Sequence, residues 1–103
     1  MLERTARANP GGVYFTSQFT NEKNADFHEQ TTGQEIVDDL GSVDFYSSGL
    51  GTAGSSLGVI RKLRTVNPDC FAVGVVCKSN QFIPGIRSLN QLHETALFIK
   101  SVY

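Results

Sequence analysis

Small and hydroxyl-bearing side chains fill residues 49–56, and this stretch is the part of the sequence best suited to hold a ligand. Residues 43–48 before it form a β-prone run, and residues 57–64 after it have the apolar spacing of a helix. A glycine-rich turn from a strand into a helix lets backbone N–H groups surround an anion, and the helix dipole favours negative charge there. The stretch therefore predicts a phosphate-binding loop, although such turns also connect strands to helices in parallel sheets without binding a ligand.

Neither of the two common nucleotide-binding motifs matches this loop in full. No Lys-Ser or Lys-Thr pair closes it, as the pattern G-x-x-x-x-G-K-S/T requires. Gly49, Gly51 and Gly54 have the spacing G-x-G-x-x-G, but no acidic residue stands about twenty positions after the last glycine. The identity of the ligand must therefore come from other parts of the chain.

The composition is that of one small domain without the charge pattern of a nucleic-acid-binding protein. The chain has 103 residues, is 40% hydrophobic and carries a net charge of −1 at neutral pH. Its 9 lysines and arginines are scattered, so no basic surface for nucleic acid is predicted. No apolar run approaches the roughly 20 residues of a membrane span, and the N-terminus lacks the apolar core of a signal peptide. We therefore expect no nucleic-acid or membrane partner, and a cytoplasmic location.

Cys70 and Cys77 are expected to be buried thiols. Both lie in one predicted strand, and their odd separation places them on opposite faces, so no disulfide between them is expected. No C-x-x-C pair suggests a zinc site, and no bound metal is predicted. Two small core cysteines are typical of a cytosolic protein.

The predicted elements follow the order β-α-β-α-β. The polar opening, which ends in a turn at residues 9–12, is compatible with the tail of a helix. Asn67 and Pro68 end the second of the two central helices. The predicted strands are 13–19, 43–48 and 70–77, and the predicted helices are 27–40, 55 or 56 to 66, and 88–99, with a loop at 82–86.

Short connections between these elements argue for three parallel strands with right-handed crossovers. The predicted fold class is therefore α/β, with a partial parallel sheet, helices packed on it and a C-terminal helix. Ligands of such sheets bind beyond the carboxyl ends of the strands. Gln18 and Phe19 end the first predicted strand and the 49–55 loop follows the second, so the two should line one edge of the sheet together.

Several stretches together resemble the pyridoxal-phosphate-dependent cysteine synthase and cystathionine β-synthase family, the fold type II enzymes. The segment T-T-G-Q-E-I at residues 31–36 followed by the glycine loop is specific, whereas either of them alone would not be. The matches keep the order and spacing of the family over about residues 9–77, which leaves 78–103 as a loop and a helix of one incomplete domain. They are residues 9–10, 18–21 with Asn24, 28–36, 48–55, 61–63, 67–68 and 73–75.

The resemblance implies a role for the glycine loop in holding the phosphate of pyridoxal 5'-phosphate. Two positions depart from the usual Gly-Thr-Gly-Gly-Thr of the family, because Ala53 replaces a glycine and Ser55 replaces a threonine. Ser55 keeps a hydroxyl group at the start of the helix. A positive φ at Ala53 would put the site in doubt, since an alanine adopts it only with strain. The implied phosphate-binding residues are Gly51, Thr52, Ala53, Gly54 and Ser55.

The resemblance also implies that Gln18 lies near the substrate carboxylate and that the parent enzyme replaces the β-substituent of an O-activated serine. The Schiff-base lysine of the family lies upstream, in a motif that residues 9–12 begin to match but do not complete. The prediction is therefore a fragment of an amino-acid biosynthetic enzyme that carries a phosphate anchor, has no catalytic residue and is inactive alone. Its lysines, expected at the surface, are Lys23, Lys62, Lys78 and Lys100.

The alternative is a stand-alone, non-catalytic phosphate-binding or interaction module of the same fold. A fragment exposes apolar edges that its missing parts would cover, and so binds the remainder of the enzyme or associates with itself, whereas an independent domain protects its edges with charge. No charged residue lies in 13–19 or 70–77, which favours the fragment. His28 is interpreted as a surface or capping residue, and His93 has no motif around it. The nucleophile of the parent reaction is left open.

Overall fold

The computed structural model describes residues 2–14 and 16–103, and its central part is a parallel β-α-β unit flanked by helices. The predicted α/β class, with a partial parallel sheet, is confirmed. The longest helix has 13 residues, and none in the described ranges is long and apolar enough to cross a bilayer. The elements are α1 (Leu2–Ala8), α2 (Lys23–Gln30), α3 (Thr32–Leu40), β1 (Phe45–Gly49), α4 (Gly54–Val66), β2 (Phe71–Val75), α5 (Leu89–Leu92) and a 3₁₀ turn (Lys100–Val102).

The sheet pairs β1 with β2 in parallel over the full length of both strands. Successive side chains of a strand point to opposite faces of the sheet. Tyr46 and Ala72 are partners in the register and share one face, while Phe45 and Phe71 share the other. Helix α4 connects the two strands and covers the Tyr46 face, which leaves the phenylalanine face open.

Helix α4 forms the centre of the core, because it packs against the sheet on one side and against α2 and α3 on the other. Its Val59 and Leu63 are 1% exposed and pack with Cys70, which precedes β2. Gly58 lies so close to α2 that a Cβ atom there would overlap the carbonyl oxygen of Ala25. The small residue therefore lets the two helix backbones approach one another.

The predicted first strand at 13–19 is wrong for the residues that the structure describes. Residues 13, 14 and 16–19 lie outside any strand, and Phe15 is outside the described residues. Ser17 has a φ of 52°, and its carbonyl oxygen accepts a hydrogen bond from the Asn21 backbone N–H at 2.8 Å. The Asn21 side chain donates to the carbonyl oxygen of Thr16 at 3.1 Å. Because asparagine bonds the nearby backbone, a turn forms here, and the described residues contain two strands instead of three.

The helix predicted at 27–40 is two helices, α2 and α3, which meet at Thr31. The Thr31 hydroxyl donates to the carbonyl oxygen of Phe27 at 2.7 Å. The Thr31 backbone, with φ −113° and ψ −76°, stays in the right-handed region but departs from regular helix values. The next predicted helix is confirmed as α4. It begins at Gly54, one residue before the earlier of the two predicted starts, and Asn67 caps its end as expected.

The C-terminal helix predicted at 88–99 is confirmed in position but is much shorter. Ser88 caps α5 as predicted, since its side chain accepts a hydrogen bond from the backbone N–H of Gln91. The helix ends after four residues, and the segment beyond it leads to the 3₁₀ turn at Lys100–Val102. The strands predicted at 43–48 and 70–77 are confirmed as β1 and β2, with bounds that shift by one or two residues.

The two cysteines are buried and free, as the sequence predicted. Cys70 precedes β2, and Cys77 follows it, where its backbone forms an isolated parallel bridge with Ser88. Burial raises the pKa of the Cys70 thiol above its ordinary value, so the thiol stays protonated at neutral pH.

Candidate functional site

The glycine loop joins the carboxyl end of β1 to the N-terminus of α4. The first N–H groups of an α-helix have no carbonyl partner within the helix. In α4, the Gly54 N–H donates instead to the Thr52 hydroxyl oxygen at 3.1 Å. The N–H groups of Ser55 and Ser56 come next, and they are the donors that an anion at this end of the helix would meet.

Ala53 caps the start of α4 and adopts the conformation that would strain an alanine. Its φ of 68° and ψ of 1° lie in the left-handed region, and the residue is 3% exposed. This region costs an L-residue about 1–2 kcal/mol. A positive φ at Ala53 is the feature that the sequence analysis named as a reason for doubt about the phosphate site, and it is present here. The loop adopts the left-handed turn with an alanine, where a glycine would adopt it without strain.

Two glycines of the loop lie where a larger residue would not fit. A Cβ atom at Gly51 would lie 2.8 Å from the carbonyl oxygen of Gly85, and one at Gly54 would overlap the side chain of Asn24. The loop is thus held between the 85–87 segment on one side and α2 on the other. The loop therefore depends on close contacts, with the Gly85 backbone and the Asn24 side chain, that only glycine allows.

Asn24 of α2 connects the glycine loop to Gln18. The Asn24 side-chain NH₂ donates to the Thr52 hydroxyl oxygen at 3.0 Å and to the Gln18 carbonyl oxygen at 2.8 Å. Asn24 is one of the residues that carry the family resemblance, but the sequence assigns it no role. The sequence feature that could have indicated this role is an amide side chain located between Gln18 and the glycine loop. The structure thus brings Gln18 and the loop together, as predicted, even though Gln18 does not end a strand.

A cavity of about 400 Å³ lies beside the loop. Gln18, Gly51 and Thr52 of the predicted site line it. Ala53 and Gly54 are buried and Ser55 is exposed at the start of α4, and none of these three lines the cavity. The described residues that line it are Gln18, Phe19, Gly51, Thr52, Phe82, Ile83, Gly85, Ile86, Arg87 and Gln91.

Arg87 is a lining residue that the sequence did not single out. The centre of its guanidinium lies 4.3 Å from the centroid of the Phe19 ring. Its backbone N–H donates to the carbonyl oxygen of Leu50, immediately before Gly51, at 2.8 Å. An arginine between the loop predicted at 82–86 and the helix predicted at 88–99 gives no sequence signal of its own, and the contact with the glycine loop exists only in the folded chain.

The other titratable candidates lie away from this cavity. His28 Nδ1 is 2.8 Å from the Thr32 hydroxyl oxygen, and His93 packs edge-on against Phe98. Neither histidine, and none of the lysines in the described part of the chain, is among the residues that line the cavity. No group of three or more His, Cys, Asp or Glu among the described residues could hold a metal ion. Asp38 and Asp39, the acidic pair near the end of α3, are exposed.

The fold and the loop together define an α/β protein with a small-residue turn leading into the helix of a parallel β-α-β unit. The family model described as pyridoxal-phosphate dependent enzyme matches residues 1–97. The chain belongs to this family.

The similar proteins of known function include cysteine synthases. The chain is 40% identical over 63 residues to cysteine synthase A of Escherichia coli strain K12, a match that covers 60% of this chain and 20% of that protein. It is 39% identical over 88 residues to cysteine synthase B of Pseudomonas aeruginosa, which covers 84% of this chain and 29% of that protein. The chain thus spans between a fifth and three tenths of the length of these relatives.

Solved structures agree with this relationship. A hydrogen sulfide-producing enzyme from Fusobacterium nucleatum is 30% identical, with a TM-score of 0.81 over 98% of this chain and 36% of that one. The cysteine synthase of Entamoeba histolytica is 29% identical, with a TM-score of 0.73 over 82% of this chain and 28% of that one. O-ureido-L-serine synthase is 25% identical, with a TM-score of 0.81 over 97% of this chain and 34% of that one.

Proposed function

We propose that this chain is the central part of the large domain of a cysteine synthase-like enzyme, and that it holds the phosphate of pyridoxal 5'-phosphate. The observation that carries the proposal is the loop itself. The loop leads into α4, where the backbone N–H groups of Ser55 and Ser56 lie in the first turn. Gly51 and Thr52 of the loop line a cavity together with Gln18. A helix N-terminus with a small-residue turn before it suits a phosphate group.

The residues of the loop divide into phosphate donors and residues that shape the loop. The Thr52 hydroxyl oxygen accepts hydrogen bonds from both the Asn24 side chain and the Gly54 N–H, so Thr52 fixes the turn. The exposed Ser55 hydroxyl and the N–H groups of Ser55 and Ser56 are then the donors for the phosphate oxygens. Ala53 supports the same turn at the cost of its left-handed backbone.

In the parent reaction, the cofactor ring acts as the electron sink for replacing the β-substituent of an O-activated serine. This chain would anchor the phosphate and, through Gln18, orient the carboxylate of the substrate in the adjoining cavity. The lysine that binds the cofactor covalently would come from another part of the enzyme. The chain alone is then inactive.

An absorbance spectrum with added pyridoxal phosphate, taken before and after borohydride reduction, tests the absence of that lysine. We expect the spectrum of the free aldehyde cofactor and no covalent adduct in the mass of the reduced protein. A reduced adduct on one lysine would contradict it and identify a working cofactor lysine in this chain.

The phosphate site is tested by comparing two serine variants in equilibrium dialysis. Ser55→Ala removes a proposed phosphate donor, and Ser47→Ala makes the same change at an exposed position of β1 away from the cavity. We expect Ser55→Ala to weaken pyridoxal phosphate binding about fivefold, because a hydrogen bond to a charged group is lost. Ser47→Ala should bind normally. Equal affinity of both variants, or equal binding of pyridoxal without its phosphate, would contradict the phosphate site.

The second candidate is a stand-alone module, and the open face of the sheet argues against it. Phe45 and Phe71 stack with their ring centroids 5.7 Å apart and are 59% and 61% exposed. No charged residue lies in β1 or β2 to protect the edges of the sheet. The remainder of the enzyme, or a second copy of this chain, is the partner that fits such a face.

A further inference from the structure

The cavity beside the glycine loop has one charged side chain among its described lining residues, and that side chain is Arg87. Its polar neighbours in the lining, Gln18, Thr52 and Gln91, are uncharged. The ion pair formed within the described ranges joins Arg61 to Asp26, so Arg87 has no carboxylate partner there. A guanidinium group on a partly enclosed surface is stabilised by an anion, and this cavity supplies none of its own.

The position of Arg87 is fixed before any ligand binds. Its backbone N–H donates to the Leu50 carbonyl oxygen at 2.8 Å, and its carbonyl oxygen accepts a hydrogen bond from the Cys77 N–H at 3.0 Å. The guanidinium lies over the Phe19 ring, which restricts the side chain, and the structure gives its N–H groups no hydrogen-bond acceptor within the described residues. Less conformational entropy is therefore lost when an anion binds.

The placement of the cavity separates Arg87 from the phosphate donors. The cavity meets the loop at Gly51 and Thr52, whereas the N–H groups of Ser55 and Ser56 at the start of α4 do not line it. The planar fork of an arginine matches the two oxygens of a carboxylate. The side-chain amides of the two glutamines in the lining add neutral donors.

We infer that Arg87 binds the carboxylate group of the amino-acid substrate in this cavity. The inference rests on the proposed function, because that function supplies an amino acid as the substrate. Arg87 is thus a specificity-determining residue that favours ligands with a free carboxylate over their amides, while the phosphate is held at the other end of the loop.

Nuclear magnetic resonance of the isotopically labelled chain tests the inference with two small probes, L-serine and L-serinamide, which differ in the carboxylate. At constant ionic strength, L-serine should shift the side-chain Nε–H signal of Arg87 in a saturable way, and L-serinamide should leave it in place. Equal shifts with both probes would overturn the inference. This measurement on the wild-type chain needs no variant to fold.

Three variants test whether the charge and shape of the Arg87 side chain determine L-serine binding. Arg87→Met keeps an unbranched side chain over Phe19 but removes the charge, and we expect it to weaken L-serine binding about fivefold. Arg87→Lys keeps the positive charge but loses the planar guanidinium, so its affinity for L-serine should lie between those of the wild type and Arg87→Met. Arg7→Met makes the same change of charge on the exposed surface of α1 and should bind L-serine as the wild type does. Unchanged binding in Arg87→Met would overturn the inference.

Pyridoxal phosphate separates this inference from the proposed function. It should shift the amide signals of Ser55 and Ser56 equally in the wild type and in Arg87→Met. If the variant loses these shifts, Arg87 belongs to the phosphate site and the carboxylate assignment is overturned. If the wild type shows no such shifts while L-serine still moves the Arg87 signal, the proposed function fails and the carboxylate assignment stands.

Discussion

The two faces of the β1-α4-β2 unit differ sharply in how well they are covered. On one face, Ala72 is 2% exposed and Tyr46 packs against the core that α4 forms with its neighbouring helices. On the other face, Phe45, Phe71 and Val75 are 59%, 61% and 48% exposed. The same two strands therefore belong to a packed core on one side and to an open apolar surface on the other.

The difference shows which parts of the domain this chain can build alone. Parallel sheets are normally covered by helices on both faces, so a sheet with one open face is part of a larger layer arrangement. The chain spans 20% and 29% of two cysteine synthases that it resembles, which agrees with such a part. The glycine loop is positioned from the covered side, by Asn24 of α2 and by α4 itself, and so does not depend on the missing cover.

The largest loss of stability is expected from a substitution that disrupts the packing of α4 against α2. Gly58→Ala places a Cβ against the Ala25 carbonyl oxygen and 2.7 Å from the Glu29 backbone nitrogen, neither of which can move without separating α2 from α4. We expect a loss of about 3 kcal/mol in the free energy of unfolding, measured by urea denaturation. Gly12→Ala is the control, since its Cβ would meet only ordinary contacts at 3.6 Å or more. Equal stability of the two variants would contradict the close packing.

Leu63→Ala, in the core on the same side of the sheet, is expected to lower the stability of the chain somewhat less than Gly58→Ala. Leu63 is 1% exposed in the core, and its loss leaves a cavity, so the free energy of unfolding should fall by about 2–3 kcal/mol. The matched change Leu40→Ala, at a position that is 70% exposed, should cost about 0.5 kcal/mol or less. Thermal or urea unfolding of both variants measures the contrast, and a similar cost at the two positions would be evidence against it.

A substitution on the open face should change association and leave folding nearly intact. Phe71→Thr keeps a strand-forming residue but removes exposed aromatic surface, so we expect the dissociation constant for self-association to rise about tenfold in analytical ultracentrifugation. Tyr14→Thr removes an aromatic ring that is 78% exposed elsewhere and should leave association unchanged. A wild-type chain that stays monomeric at high concentration would favour the stand-alone module.

Ala53→Gly tests the strained start of the loop. Glycine adopts the φ of 68° freely, so the substitution should raise the free energy of unfolding by about 0.5–1 kcal/mol despite the greater freedom of glycine in the unfolded chain. The same change at Ala8, in the last position of α1, should lower it by a similar amount. Destabilisation by both substitutions would contradict the left-handed conformation at Ala53.

The smallest effect concerns the pH dependence at Tyr103, which closes over α4 from the C-terminal segment. Its hydroxyl donates to the Ser56 hydroxyl oxygen at 2.7 Å, and burial raises the pKa of Tyr103 above its ordinary value of 10.0. A raised pKa in the folded state favours the protonated phenol, so this stability is complete below pH 10.0 and is lost as the pH rises through the folded-state pKa. Unfolding measured between about pH 9 and 11 should show this loss, and Tyr103→Phe should remove the slope.

The covered face could be predicted from the sequence more fully than its surroundings. The apolar spacing of residues 57–66 and the small residues before them fix the loop and α4, because both signals are local and agree with each other. The strand predicted at 13–19 failed, since side chains of the following turn bond the backbone that a strand would have used. That competition depends on Asn21 and is not visible in the β-propensity of the segment.

The candidate site divides in the same way. Gln18 and the loop were expected to meet because each was placed at the carboxyl end of a predicted parallel strand. Residues 16–19 form no strand, and Asn24 instead connects Gln18 to the loop. Arg87 could not be found, because its approach to the loop depends on how residues 76–88 return to Leu50. No periodicity or motif describes such a return, and only the folded backbone reveals it.

The phosphate site at the start of α4 is tested most directly by mapping the backbone amide signals of the chain during titration with pyridoxal 5'-phosphate and, separately, with pyridoxal. We expect saturable shifts centred on Gly54, Ser55 and Ser56 with the phosphorylated compound, and no shifts at these residues with pyridoxal. Shifts that are identical for the two compounds, or that fall elsewhere in the chain, would contradict the assignment of this loop as the phosphate anchor.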